Sequence, residues 1–146
     1  MRQEGTFTVR ASQEKVWSFF LDPVRLASAI ADPHMIEIID ENTFKGHIKT
    51  GVGPIRGTFN GSAQIVEREP PRRARIKAHG AGMGSAFDVD STIEMAESGG
   101  LTTVKWAADV VLNGTIASMG ARLLEGTIDR KTSEFFENVR KKLEPR

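Results

Sequence analysis

The sequence of 146 residues contains no cysteine. Disulfide bonds, thiolate nucleophiles and sulfur-ligated metal sites are therefore excluded. An excess of charge of either sign is also missing, because 20 Lys and Arg residues face 19 Asp and Glu residues and the formal net charge is +1. This balance does not favour a nucleic-acid partner, which selects for a strongly basic surface.

Long hydrophobic runs are absent as well. No early segment has the apolar stretch of a signal peptide, and no segment approaches the roughly 18–20 apolar residues of a membrane-spanning helix. We therefore expect a soluble, cytoplasmic protein. A chain of 146 residues can bury one hydrophobic core without disulfides or metals. Residues 1–146 are predicted to form a single domain.

Histidine is scarce, and its placement does not suggest a metal site. His34, His47 and His79 are scattered, and no pair has the His-x-His or His-x-x-x-His spacing typical of metal ligands. Structural and catalytic zinc sites need several such ligands brought together. We therefore predict no metal, and no other cofactor is indicated.

The carboxylates and glycine-rich segments do not form a catalytic motif. Asp88 and Asp90 share one face of a predicted strand, and paired carboxylates can perform acid–base chemistry when buried together. Alternation with Phe87 and Val89 places them on the solvent side instead. The segment HGAGMG links two strands, whereas a phosphate-binding loop leads into a helix. We therefore interpret it as a turn.

Hydrophobic periodicity predicts the order of the elements. The segment EGTFTVRAS alternates between apolar and polar residues, which is typical of a half-buried strand. Ser12 caps a first short helix, and Asp22-Pro23 starts a second one, which Asp32-Pro33 is expected to end. From residue 34 to residue 113 the period is two, which predicts six strands joined by short turns.

The segment from Gly114 to Leu143 has apolar residues at helical spacing and is predicted to be one long helix. It is the only element long enough to cover the apolar face of the sheet. Gly120 and Gly126 each cost roughly 0.5–1 kcal/mol in a helix relative to alanine. We expect them to allow close approach to the sheet or to leave space beside the helix. The predicted fold is α+β, with a curved seven-stranded antiparallel sheet wrapped around this helix.

Small residues recur on the predicted inner face of the sheet, which indicates a cavity. Facing small residues either leave space or permit close backbone approach, and glycine in a strand often marks a bend. Their recurrence on several strands favours a ligand-sized cavity, with close packing as the alternative. These residues are Gly57, Gly61, Ala63, Ala74, Ala78 and Ala108.

The cavity is predicted to have mostly apolar walls and few polar groups. No histidine is predicted beside Ser91, which leaves it without the base of a catalytic triad; its hydroxyl bonds either a ligand or the backbone. Arg122 either faces a ligand head group at the rim or is exposed or ion-paired. The two short helices are expected to form part of the mouth. The predicted ligand-binding residues are Phe20, Leu26, Ile30, Ile48, Phe59, Ile76, Phe87, Ser91, Trp106, Met119, Arg122 and Leu123.

Three segments carry a resemblance to a known family. GVGPIRGTFNGSA, PPRRARIKAHGAG, and SMGARLLEG followed by Phe135-Phe136 resemble the CoxG family of carbon monoxide dehydrogenase proteins. The order of the elements is similar to that of the START-like helix-grip (SRPBCC) superfamily, and the resemblance spans nearly the whole chain. It implies a non-enzymatic accessory protein of a molybdenum-containing dehydrogenase, which acts at the membrane surface or carries a lipid- or quinone-like molecule.

Three functions remain open from the sequence. The first is carriage of a lipophilic small molecule, and the second is a protein–protein adaptor that docks the dehydrogenase at the membrane without a ligand. The third, a cyclase or hydrolase, is disfavoured because no acid–base pair is present, and a fold alone does not determine function. Several relatives continue into a hydrophobic tail, whereas this sequence ends at KKLEPR, which favours the free carrier. A homodimer through a strand edge is compatible with the pattern but not required by it.

Overall fold

The computed structural model describes residues 1–32 and 34–144. Pro33, predicted to help end the second helix, and residues 145–146 lie outside the described residues. The elements follow the predicted order of one strand, two short helices, six strands and a long helix. They are β1 (Arg2–Val9), α1 (Gln13–Phe20), α2 (Pro23–Ser28), β2 (His34–Asp40), β3 (Thr43–Val52), β4 (Ile55–Glu69), β5 (Arg73–Gly82), β6 (Ser85–Ser98), β7 (Leu101–Gly114), a 3₁₀ turn (Thr115–Met119) and α3 (Ala121–Leu143).

The strands form one antiparallel sheet in the order β1-β7-β6-β5-β4-β3-β2. Consecutive strands from β2 to β7 pair with each other, and β1 pairs with β7 at the far edge. The sheet is curved, and α3 lies across its concave face. The predicted α+β helix-grip architecture is therefore confirmed.

The two short helices begin where the sequence predicts. The Ser12 hydroxyl accepts a hydrogen bond from the Lys15 N–H at 3.3 Å, and the Asp22 carboxylate accepts one from the Val24 N–H at 3.0 Å. Pro23 occupies the first turn of α2, where its missing N–H costs nothing. These caps satisfy N–H groups that a helix start leaves without a backbone partner.

A packed core occupies one end of the concave face, beneath α1 and the C-terminal half of α3. Val9, Val16, Val104 and Val139 are fully buried there. Aromatic rings fill the space between them and the helix, and the neighbouring ring pairs have centroids 4.7–6.5 Å apart. We call these rings the aromatic cluster; they are Phe7, Phe19, Phe20, Trp106, Phe135 and Phe136.

The prediction of one continuous helix from Gly114 is wrong. The chain forms a 3₁₀ turn, breaks at Gly120, and starts α3 at Ala121. Gly120 has φ +92° and ψ 143°, a conformation that side chains with a Cβ rarely adopt. Close approach to the sheet is also wrong as a reason for Gly120 and Gly126, because a Cβ at either position would meet nothing within 4 Å. Nothing in the structure explains Gly126.

A row of three paired glycines crosses the middle of the sheet. Gly46, Gly61 and Gly80 are register partners on β3, β4 and β5. A Cβ at Gly46 would lie 2.1 Å from the Met35 carbonyl oxygen, and one at Gly61 would lie 2.6 Å from the His79 carbonyl oxygen. Neighbouring strands therefore approach more closely here than side chains would allow, and a strip of the concave face carries no side chains.

Candidate ligand-binding site

A cavity of about 340 Å³ lies between the N-terminal half of α3 and the concave face of the sheet. We call it the main chamber. Its walls come from β1, β3, β4, β6, β7, the 3₁₀ turn and α3, and they are predominantly apolar. Residues lining it are Gln3, Asp32, Ile48, Thr50, Val52, Phe59, Phe87, Val89, Trp106, Ala108, Val110, Leu112, Ile116, Leu124, Thr127, Ile128, Lys131 and Thr132.

Two aromatic rings of the wall lean onto glycines of neighbouring strands. Trp106 pairs with Gly5, and its indole atoms lie 3.0–3.1 Å from the place where a Gly5 Cβ would be. Phe87 pairs with Gly80, and its ring occupies the space of a Gly80 side chain. Both rings therefore lie over the adjacent strand and do not fill the main chamber. The glycines therefore allow a wall built partly from large residues to leave space beneath α3.

One polar cluster joins three elements at the wall of the main chamber. The Lys131 ammonium of α3 donates hydrogen bonds to Asp32 Oδ2 at 2.9 Å and to Thr50 Oγ1 at 2.7 Å. The Thr50 hydroxyl donates to the same Asp32 oxygen at 2.9 Å. Asp32 lies in the segment after α2, and Thr50 lies on β3. We call these three residues the polar cluster.

The ion pair of the polar cluster is partly shielded from solvent, since both side chains are 30% exposed. Desolvation by burial raises the pKa of Asp32, but hydrogen bonds from Lys131 and Thr50 and the nearby positive charge outweigh it. The net result is a pKa below its ordinary value of 3.8. Asp32 is therefore ionised at neutral pH and balances the charge of Lys131 within a predominantly apolar wall.

A second cavity of about 230 Å³ adjoins the first one. We call it the side chamber. It lies over β2 to β5, with Ile30 of the segment after α2 in its lining, and it shares Ile48, Phe59 and Phe87 with the main chamber. Its lining is Ile30, His34, Ile36, Phe44, Gly46, His47, Ile48, Phe59, Asn60, Gly61, Ser62, Ala63, Ala78, His79 and Phe87.

Comparisons with known proteins identify the family of this chain. The family model described as the G subunit (CoxG) of carbon monoxide dehydrogenase matches residues 5–144. The chain belongs to the CoxG family. The resemblance found in the sequence is thereby confirmed. No curated protein matches this CoxG family member in sequence.

Solved structures share the fold of this CoxG family member. A conserved protein from Geobacillus kaustophilus has a TM-score of 0.90 at 22% identity, over 97% of this chain and 94% of that chain. A START superfamily protein from Mycobacterium smegmatis has a TM-score of 0.72 at 10% identity, over 97% and 96%. A protein from Chromobacterium violaceum has a TM-score of 0.74 at 15% identity, over 100% and 99%. These likenesses show a START-like fold.

The fold of this CoxG family member places four of the predicted ligand-binding residues in the lining of the main chamber. Ile48, Phe59, Phe87 and Trp106 line it, and they come from β3, β4, β6 and β7. Ile30 lines the side chamber only. Strand alternation located these side chains on the concave face, since each strand presents every second residue to it. Their role in binding stays a prediction.

Three other predicted residues lie in the packed core or beside it. Phe20 is 3% exposed and belongs to the aromatic cluster, while Leu26 and Ile76 pack against the buried core. The short helices α1 and α2 therefore contribute no residue to the lining of the main chamber, and their place at its mouth stays a prediction. The sequence alone does not indicate which end of the sheet they cover.

The remaining predicted residues also lie outside the main chamber. Met119 and Leu123 approach the β3–β4 turn, where a Cβ at Gly53 would lie 2.7 Å and 2.8 Å from their terminal carbons. Arg122 is exposed near the start of α3. The Ser91 hydroxyl donates to the Ile76 carbonyl oxygen at 2.9 Å, so it takes the backbone partner of its two alternatives.

Sequence reasoning missed the polar cluster and the helix residues of the CoxG site. Leu124, Ile128 and Lys131 follow one another at spacings of four and three, which places them on one helix face; this signal was available in the sequence. Asp32 and Thr50 gave no local signal, because only the fold brings them to that face.

The described charged residues of the outer face do not line the main chamber. His79 Nδ1 lies 2.7 Å from Asp88 Oδ1, and Arg75 donates to Asp90 at 2.6 Å. The prediction that both aspartates face away from the core is confirmed, although their cross-strand partners were not foreseen. Within residues 1–32 and 34–144, no group of three His, Cys, Asp or Glu side chains is placed to hold a metal ion. No helix in the described part of the chain has the length and hydropathy of a membrane span.

Proposed function

We propose that this CoxG family member binds and carries a lipophilic small molecule, lipid- or quinone-like, in the main chamber. It would act as a cytoplasmic accessory protein of a molybdenum-containing dehydrogenase. The observation that carries the proposal is a partly enclosed space of about 340 Å³ with predominantly apolar walls and one polar cluster. Ligand pockets are typically concave and apolar, with a few polar groups that orient the ligand. Family membership supports the accessory role, and the START-like fold supports the hydrophobic ligand.

The polar cluster supports a ligand with a neutral polar group. The Lys131 ammonium has three donors, and among the described residues two of them reach Asp32 and Thr50. The third donor can serve a carbonyl or hydroxyl oxygen of the ligand. Asp32 already balances the positive charge. A neutral group therefore adds no unpaired charge to a partly buried site, which would be costly.

The same geometry supports a role without catalysis. The Ser91 hydroxyl is occupied by a backbone carbonyl, and Asp88 and Asp90 bond His79 and Arg75 on the outer face of the sheet. A general base must lie within hydrogen-bond reach of the proton that it removes. In the main chamber the carboxylate is that of Asp32, whose lowered pKa makes it a weak base.

Extraction and thermal stability test the proposal. Organic extraction of the purified protein, with native mass spectrometry of the unextracted sample, is expected to identify a bound lipophilic molecule. Adding that molecule to the extracted protein at 100 times Kd should raise the free energy of unfolding by about 2.7 kcal/mol. A protein that carries nothing and whose Tm ignores lipophilic compounds would instead favour the adaptor that docks the dehydrogenase without a ligand.

A pair of adjacent alanines provides the matched variants. Ala108 lines the main chamber, whereas Ala107 is the next residue on β7 and faces the opposite side of the sheet. Ala108→Leu is expected to fill part of the chamber and weaken binding about tenfold or more, while Ala107→Leu should leave Kd unchanged. Equal effects of the two substitutions on binding, with both variants folded, would contradict a ligand in the main chamber.

A further inference from the structure

Among residues 1–32 and 34–144, the main and side chambers share three side chains. Ile48, Phe59 and Phe87 belong to the linings of both, and the Phe59 and Phe87 rings are neighbours with centroids 6.4 Å apart. On the far side of this boundary the floor includes Ala63 and Ala78 and two residues of the glycine row, Gly46 and Gly61. The side chamber is thus a predominantly apolar extension of the main chamber along the same concave face.

The register of the sheet shows that one surface runs under both chambers. Val110, Val89, Ala78 and Ala63 are successive partners across β7, β6, β5 and β4. The first two line the main chamber, and the last two line the side chamber. The surface is therefore continuous from one chamber to the other, and its side chains become smaller on entering the second.

Strand β3 gives the length of this path. Its inward-facing residues run from Thr50 in the polar cluster through Ile48 and Gly46 to Phe44, in steps of two. Six residues of extended strand span about 20 Å. A compact ring held at Thr50 cannot cover this distance, whereas an extended long alkyl chain can.

We propose that the ligand is a long-chain amphiphile whose polar group binds at Asp32, Thr50 and Lys131 and whose chain passes Ile48, Phe59 and Phe87 into the side chamber. This inference rests on the proposed function of the main chamber and adds a second subsite to it. The side chamber sets the preferred chain length, because Ala63, Ala78 and the glycines leave room for methylene groups and offer them no hydrogen-bonding side chain. Primary alkanols are suitable probes, since their hydroxyl can accept from Lys131 and donate to Asp32.

Alanine methyl NMR of the wild-type protein is the direct test. Ala108 reports on the main chamber, and Ala63 and Ala78 report on the side chamber. Hexanol is expected to shift the Ala108 methyl signal alone, and dodecanol should shift all three. If dodecanol at saturation leaves the Ala63 and Ala78 signals in place while moving Ala108, the second subsite is refuted and the main chamber stands. If no alkanol moves any of the three signals, the proposed function itself fails.

Chain-length dependence of affinity gives an independent measurement. Kd, measured by displacement of the neutral fluorophore N-phenyl-1-naphthylamine, should fall about fourfold per added methylene until both chambers are filled. Ala78→Leu should leave hexanol binding unchanged and weaken dodecanol binding at least about tenfold, which corresponds to the loss of two or more methylenes. Ala108→Leu should weaken both alkanols. Ala96→Leu, an exposed residue of β6, should change neither, and equal weakening of hexanol and dodecanol by Ala78→Leu would overturn the inference.

Discussion

At the scale of single residues, the polar cluster is where burial, charge and hydrogen bonding compete. Asp32, Thr50 and Lys131 come from a loop, a strand and a helix, so each hydrogen bond among them also ties two parts of the fold together. Surface ion pairs contribute little to stability, whereas partly buried and hydrogen-bonded pairs contribute more. The cluster therefore both fixes α3 over the main chamber and presents an oriented donor to it.

The lowered pKa of Asp32 predicts a pH-dependent contribution to stability. A carboxyl group whose pKa is lower in the folded state stabilises that state above its unfolded pKa, and the contribution disappears as the pH falls through the folded-state pKa. We expect Asp32→Asn to lower the free energy of unfolding by about 1 kcal/mol at neutral pH. The difference between wild type and variant should shrink below pH 3.8, the ordinary value for this group. Urea denaturation at a series of pH values measures it.

An exposed aspartate on the same helix controls for a general change in charge. Asp129→Asn on α3 is expected to leave the free energy of unfolding within about 0.5 kcal/mol of the wild type at each pH. A difference between wild type and Asp32→Asn that persists undiminished down to about pH 2 would show that the effect does not come from ionisation of Asp32.

At the scale of elements, the break before α3 sets the shape of the site. The 3₁₀ turn places Ile116 in the wall of the main chamber. The N-terminal half of α3, which begins at Ala121, places Leu124, Ile128 and Lys131 on its inner face. Gly120 between them permits the change of direction, with φ +92°. A continuous helix from residue 114 would present a different set of side chains to the sheet.

Two glycines of this region should respond to alanine in opposite directions. Gly120→Ala forces a Cβ into a conformation that costs about 1–3 kcal/mol, so the free energy of unfolding should fall by that amount. Gly126→Ala lies in an exposed turn of α3 with nothing within 4 Å of the new Cβ, and it should raise stability by about 0.5–1 kcal/mol. Chemical denaturation of the two variants measures both. Destabilisation by Gly126→Ala would mean that this glycine has a packing role.

Periodicity explains why the elements could be predicted and this break could not. Alternation of period two identifies each strand and its inner face, as for Phe59 and Phe87. A helical pattern on both sides of Gly120 continues through the glycine without a change of period, so the pattern gives no sign of a break. Which half of the concave face stays empty depends on register, such as the pairing of Gly80 with Phe87, and register is fixed only when the strands are assembled.

At the scale of the whole molecule, α3 spans two different environments. Its C-terminal half covers the aromatic cluster, with Val139 fully buried and Asn138 donating to the Ala29 carbonyl oxygen at 3.0 Å. Its N-terminal half covers the main chamber and is held by Leu124, Thr127 and the Lys131 hydrogen bonds. An empty cavity removes the dispersion contacts that close packing provides. The two halves therefore differ in what stabilises them locally.

This division predicts unequal local stability along one helix. Amides of residues 124–131 should exchange with solvent about tenfold faster than those of residues 133–140, after correction for intrinsic rates, because fewer packed contacts oppose their local opening. Hydrogen exchange followed by NMR or mass spectrometry measures both segments in one sample. Dodecanol should slow exchange in residues 124–131 and leave residues 133–140 unchanged, since it adds contacts only over the chambers. Phe136→Ala should instead speed exchange in residues 133–140, because truncating a ring of the aromatic cluster costs about 3 kcal/mol and loosens the C-terminal half. Uniform protection along α3 in the absence of ligand would contradict the division, because a helix that opens as one unit has the same local stability in both halves.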